Sequence, residues 1–148
     1  MTHDQPPTLA YWHLHTDAKG ISRQVRCAID QFKLGHVGNA APQWNDKQAT
    51  SEATVVFVVL LVGWIGEWHE NPAPQWIVPL SGRWFVESMD GTRIEMGPGE
   101  LSLGEDQDCI EDDVGRKGHR SGTLGNEPAV LMTVQLHVPP QRDACHLE

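Results

Sequence analysis

Glycine and proline, 14 and 10 of them, interrupt this chain every few residues from position 35 onward. Helices need unbroken stretches of about ten or more residues, so this punctuation leaves room mainly for short strands. The hydrophobic period agrees. Residues 11–15, and then Val25, Cys27 and Ile29, alternate with polar neighbours as half-buried strands do. Residues 54–62 are apolar and Val-rich on both parities, which predicts a strand covered on both faces. Further strands are expected over 75–80, 83–87, 93–96, 100–103 and 130–138, separated by turns at Gly82, Asp90-Gly91, Gly97-Pro98-Gly99 and Gly125-Asn126. The Asp-Gly pair between two alternating runs is a strong hairpin signal. Short strands with turns at intervals near ten residues imply an all-β sandwich or barrel. The polar stretch 38–50 reads as an excursion within the domain.

A length of 148 residues fits a single domain spanning 1–148. Twenty acidic against 11 basic side chains give a net charge of -9. That balance, without a Lys/Arg cluster, argues against nucleic acid as a partner and against anionic membrane surfaces. The longest apolar run, residues 55–62, is far short of the roughly 18 residues of a spanning helix. Residues 1–7 are polar and do not resemble a secretory signal, so a cytoplasmic location is expected. Cys27, Cys109 and Cys145 are odd in number and widely spaced, and read as three reduced thiols without an assigned role.

The chemistry is concentrated in residues 63–82. Gly63 lies six before His69, Asn71 lies two after it, and Gln75 lies seven before Gly82. This frame resembles the first motif of the cupin superfamily, G-x5-H-x-H-x3-4-E-x6-G, with Asn71 at the second His position and Gln75 at the Glu position. A second motif begins at Gly99, after 16 intervening residues. His119 takes its metal-histidine position and Thr123 the Asn position, across a longer insertion and without the motif's proline. The resemblance covers about residues 54–136. It implies a double-stranded β-helix (the cupin barrel or jelly roll), with its core over 54–138 and one divalent metal ion (Fe, Mn, Ni, Cu or Zn) held by His69, Gln75 and His119. It also implies a homodimer in which the N-terminal strands, 9–34, pair with or pack on the partner.

Read for themselves, side chains two apart on a strand share a face, so Glu67, His69 and Asn71 are expected to point one way and Trp68 and Glu70 the other. Inside a barrel such a face costs several kcal/mol unless partners or a metal satisfy it. Two imidazoles and a carboxamide suit a first-row metal. Asn71 or Glu67 competes for a fourth place, because a dication among neutral ligands attracts a carboxylate or an anionic substrate. Glu67, Arg83 and Arg120 are the candidate catalytic side chains, the two arginines as clamps for a substrate carboxylate. The alternative is a polar interior satisfied by hydrogen bonds and water. Four of the six tryptophans, Trp64, Trp68, Trp76 and Trp84, fall near this segment, mostly as packing.

Other features read more plainly. His13 and His15 share a strand face as a surface or dimer-interface pair. His3, His36, His137 and His146 are expected to be exposed, and residues 105–113 form an acidic solvated loop or pocket rim in which Cys109 is a poor nucleophile. The expected function is a small metal-dependent cupin enzyme acting on a small oxygenated organic molecule by dioxygenase, isomerase or lyase chemistry. The alternative is a metal-free cupin that binds a small ligand or sugar.

Overall fold

The structure, a computed structural model, describes residues 5–148; His3 lies outside them. It is all-β, with eleven strands among the described residues: β1 (Leu9–Thr16), β2 (Ser22–Ile29), β3 (Lys33–Gly35), β4 (Gln43–Asn45), β5 (Ala53–Leu60), β6 (Gln75–Ser81), β7 (Arg83–Ser88), β8 (Arg93–Met96), β9 (Leu101–Glu105), β10 (His119–Leu124) and β11 (Ala129–Leu136). No helix of the described residues is long and apolar enough to cross a membrane.

Six strands form one mixed sheet in the order β2-β1-β9-β6-β11-β5, and three form a second, β10-β7-β8. Only β1 and β9 run parallel; the other pairs are antiparallel. The Asp90-Gly91 turn joins β7 to β8 as a hairpin, as its chemistry predicts. The 38–50 excursion carries β4, which pairs with β3 in a separate two-stranded ribbon.

Strand alternation divides each sheet into two faces. On the inner face, Leu14, Leu60, Ile77 and Leu131 meet Trp84 and Val86 of β7 and Met96 of β8, so the two sheets pack face to face over one apolar core. Residues of the opposite parity point to the outer face. There Tyr11, Cys27, Ile29 and Leu103 form a second cluster against Trp76 and the C-terminal segment 139–148. The segment lies over the β2-β1-β9 half of the sheet as a strap.

Two expectations change here. A disulfide joins Cys27 to Cys145 across 118 residues, with Cα atoms 5.3 Å apart, so these are not reduced thiols; Cys109 alone is free, and it is buried. Such bonds persist in oxidising environments, which weighs against the cytoplasmic expectation. Strand β5 is covered on one face only: Val56, Val58 and Leu60 turn inward, while Val55, Phe57 and Val59 remain exposed. β5 lies at the sheet edge, with the second sheet packed on its inner face and no strand laid over its outer face among the described residues.

Because the Cys27–Cys145 bond closes so long a loop, its reduction should lower the unfolding free energy by about 2–4 kcal/mol. Urea unfolding with and without reductant measures this. Coincident midpoints would mean that the two thiols are not joined in solution.

Candidate functional site

His119 opens β10, Gln75 opens β6, and between β5 and β6 the chain leaves the sheet. That linking segment runs beside β10 through two isolated bridges, Ile65 with Gly122 and His69 with His119. At the second, each backbone N–H donates to the other residue's carbonyl at 2.9 Å. The contact depends on Gly118. Its φ is +77°, and a Cβ there would stand 2.2 Å from the His69 carbonyl oxygen. The His69 and His119 rings are consequently neighbours, with centroids 4.6 Å apart. His119 is buried and His69 is exposed, so the pair opens to solvent on one side.

A carboxylate expected from the sequence in a solvated loop organises the interior of this site. Asp106 follows β9 directly and is fully buried. Its Oδ2 accepts the His119 Nδ1–H at 2.7 Å. Its Oδ1 accepts the Asn71 backbone N–H at 3.0 Å and the Asn71 Nδ2–H at 2.7 Å. Asn71 Oδ1 in turn accepts from Gln75 Nε2 at 2.5 Å. Asn71 fits against the backbone of β9 because residue 104 is glycine, whose Cβ would lie 2.3 Å from Nδ2. Burial opposes ionisation of Asp106, but the His119 imidazole and the Asn71 donors outweigh it and hold the carboxyl below its ordinary range. The acidic residues 105 and 106 are therefore interior groups, and the solvated stretch begins only beyond them.

The hydrogen bonds define which ring nitrogens are free. His119 Nδ1 donates to Asp106, and His69 Nδ1 donates to the Glu67 carbonyl oxygen at 2.8 Å. In each neutral ring the lone pair then sits on Nε2, and neither Nε2 has a hydrogen-bond partner among the described residues. Metal-bound histidines characteristically hand their other N–H to a carboxylate or a backbone carbonyl in this way. Gln75 Oε1 is buried and has no partner either. An orphaned acceptor of that kind costs free energy unless a cation or a donor arrives to meet it. His69, Gln75 and His119 thus each keep an atom of metal-ligand type that no described residue engages.

The remaining candidates stand elsewhere. Both polar ends of the Asn71 carboxamide are engaged, which makes it an organiser of Asp106 and Gln75. The Glu67 side chain is exposed, so the expected common face of residues 67, 69 and 71 does not form in this non-strand segment. Arg83 is exposed at the far end of β7, with Glu100 at 3.8 Å. Arg120 donates to Glu87 at 2.9 Å and, with Arg116, lies near the Trp68 ring at 5.8 and 5.7 Å. Neither arginine points at the two histidines. Cys109 is held by burial well away from thiolate formation, with Asp106 and Glu70 adding to the effect and the Thr16 hydroxyl opposing it.

A second cluster lies on the outer face. His13 is fully buried and His15 is half-buried, so neither is a surface residue, and His146 is not exposed. Glu105 accepts from His13 Nε2 at 3.0 Å, from the Gln141 backbone N–H at 2.9 Å, and from His146 Nε2. Although His13, Glu105 and His146 bring three ligand atoms close together, His13 Nδ1 accepts the Cys145 backbone N–H at 3.2 Å. The proton of that ring therefore sits on Nε2, the atom a metal would need. We read this cluster as a hydrogen-bonded clasp for the strap. Beside it opens a cavity of about 560 Å³, walled by Trp76, Leu103, Val134 and Pro140, with Glu105 and His146 at one end.

Compared with known proteins, the chain matches no family model, and no curated protein matches it significantly.

Two outcomes are expected from this geometry. Gly118→Ala should destabilise the fold by about 1–3 kcal/mol through strain at a positive φ and part the two histidine backbones, as read by thermal melting. Depressed carboxyls at Asp106 and Glu105 stabilise the fold above the unfolded carboxylate range of about pH 4, and that contribution fades as pH falls through their folded values. Asp106→Asn should therefore be less stable at neutral pH and lose stability less steeply below about pH 4. Parallel acid limbs for the two proteins would contradict the assignment.

Proposed function

We propose that this chain is a cupin-type double-stranded β-helix that binds one divalent first-row metal ion through His69 Nε2, His119 Nε2 and Gln75 Oε1, and acts on a small oxygenated organic molecule. The supporting observation is the set of unused atoms. Two neighbouring imidazoles have their Nδ1–H groups anchored and their Nε2 lone pairs free, and a buried carboxamide oxygen lacks a partner.

When bound, such a metal supplies Lewis acidity toward a carboxylate, carbonyl or enolate oxygen. The chain's own contributions are separable. Asp106 fixes the His119 tautomer and places a negative charge behind it, which partly offsets a dication held by neutral ligands. Asn71 orients Gln75 by accepting from its Nε2, so that Oε1 is left over. His69, on the solvent side, is the ligand a substrate meets first. Dioxygenase, isomerase and lyase chemistries share these requirements, and the fold does not choose among them.

Metal content of purified protein, and titration of the stripped protein with Fe, Mn, Ni, Cu and Zn ions, tests the proposal. Near-stoichiometric binding is expected, abolished by His119→Ala and weakened about 10–100-fold by Asp106→Asn. Failure to take up any of the five ions, or uptake unchanged in His119→Ala, would reject it. In that case the second reading, a metal-free protein that binds a small ligand, gains weight. Its own support is the apolar cavity of about 560 Å³ beneath the strap, within the size range of small-molecule sites.

A further inference from the structure

The cavity beneath the strap, about 560 Å³, has two chemically different ends. Its walls are apolar: Trp76, Leu103, Val134 and Leu136 come from the sheet, and Pro140 and Leu147 from the strap. At the other end stand Glu105, His146 and Gln141, and Glu105 is the only Asp, Glu, Lys or Arg side chain that lines the space. An apolar space of this size with a few polar groups converging at one end is the usual make-up of a small-molecule site. The enclosure is also fixed in place. Cys145, next to His146, is bonded to Cys27 of β2, so the strap that supplies one wall is covalently tied to the sheet. A wall held beforehand lowers the entropy lost on binding.

The hydrogen bonds at Glu105 leave one position open. Oε1 accepts from His13 Nε2 and His146 Nε2, and Oε2 accepts from the Gln141 backbone N–H. An ionised carboxylate has about four acceptor positions, so one remains on Oε2, the oxygen on the Gln141 side. Burial raises the Glu105 carboxyl, but the hydrogen bonds from His13, Gln141 and His146 outweigh it and keep the group ionised. None of these donors need bring a positive charge. Above about pH 7 an imidazole is ordinarily neutral, and the Cys145 N–H donated to His13 Nδ1 requires a neutral ring there. The carboxylate is therefore met by dipoles alone, although Glu105 is only 4 % exposed. A buried anion without a counter-charge is costly, and a ligand that carries the counter-charge relieves that cost.

We infer that this cavity binds a protonated organic amine with an apolar body, its ammonium group donating to Glu105 Oε2 and its body lying along Trp76, Leu103 and Val134. An indole wall adds attraction for a cation. The chain's net charge of -9 favours the approach of cations over anions. An acid of the same shape would meet Glu105 as a like charge, and an alcohol would fill the open position without neutralising it. The inference rests on the same premise as the metal-free reading, that this cavity takes a ligand, and it does not involve the His69–His119 pair.

Calorimetric titration of the full chain at about pH 8, where both imidazoles are ordinarily neutral, is the test. The probes are phenylbutylamine, phenylbutanol and phenylbutanoate, which share one apolar body, and EDTA is present so that no amine is held by a metal. The amine should bind at least tenfold more tightly than the alcohol, and the acid most weakly. Glu105→Gln should bring the amine down to the affinity of the alcohol while the alcohol still binds. Val134→Lys, which sets a cation in the wall away from the clasp, should weaken the amine at least tenfold and strengthen the acid; it reads the same interaction if Glu105→Gln fails to fold. Equal affinity for amine and alcohol, or tightest binding of the acid, would overturn the inference and leave the cavity as a ligand site of another kind. Amine affinity unchanged in both variants would place the amine elsewhere and overturn it too. Binding of none of the three at millimolar concentration would overturn both the inference and the reading of the cavity as a ligand site.

Discussion

Asp106 is the buried charge around which this end of the molecule is arranged. Its two oxygens receive three donors from two distant segments, the backbone and side chain of Asn71 and the imidazole of His119. A fully buried carboxylate is tolerable only with such a complement of partners. The same bonds that satisfy it draw the irregular segment 61–74 against the start of β10, and thereby bring His69 beside His119. Structural necessity and chemical opportunity coincide at this residue. A carboxylate that must be satisfied leaves each imidazole with one committed and one uncommitted nitrogen.

The outer face obeys a different logic. One half is closed from within the chain by the strap, held by the Cys27–Cys145 bond, the Glu105 clasp and apolar packing around Tyr11 and Leu103. The other half, around β5, presents its apolar rows to water. A Val-rich strand written for burial on both sides has received cover on one, and an apolar surface of that size is unfavourable to hydrate.

Much of the architecture was legible because strand alternation and turn chemistry are local. The paired runs around residues 11–15 and 25–29, the Asp90-Gly91 hairpin and the final strand near 130 need only neighbours in sequence to be recognised. The spacing of His69, Asn71 and Gln75, and the distant His119, also singled out residues that the fold brings into one connected group. What escaped were groups whose meaning depends on position in space. Asp106 sits in an acidic run that composition alone reads as solvated. Glu105 and His146 meet across 41 residues, and Cys27 and Cys145 across 118. Nothing local marks those pairings. Glu67, Arg83 and Arg120 stood out by chemistry and proximity in sequence, yet the chain turns them to solvent or to Glu100 and Glu87.

The sequence by itself determined that the chain would be built of short strands with few long-range options for each turn, because glycine, proline and a two-residue period act within a few bonds. It also determined which side chains carry ligand chemistry. Only the tertiary structure decided which ring nitrogens are left free, which acidic residues are interior, and which face of β5 lacks a neighbour. Hydrogen-bond complements and burial are properties of surroundings assembled from distant segments, and they come into existence when the two sheets close on each other.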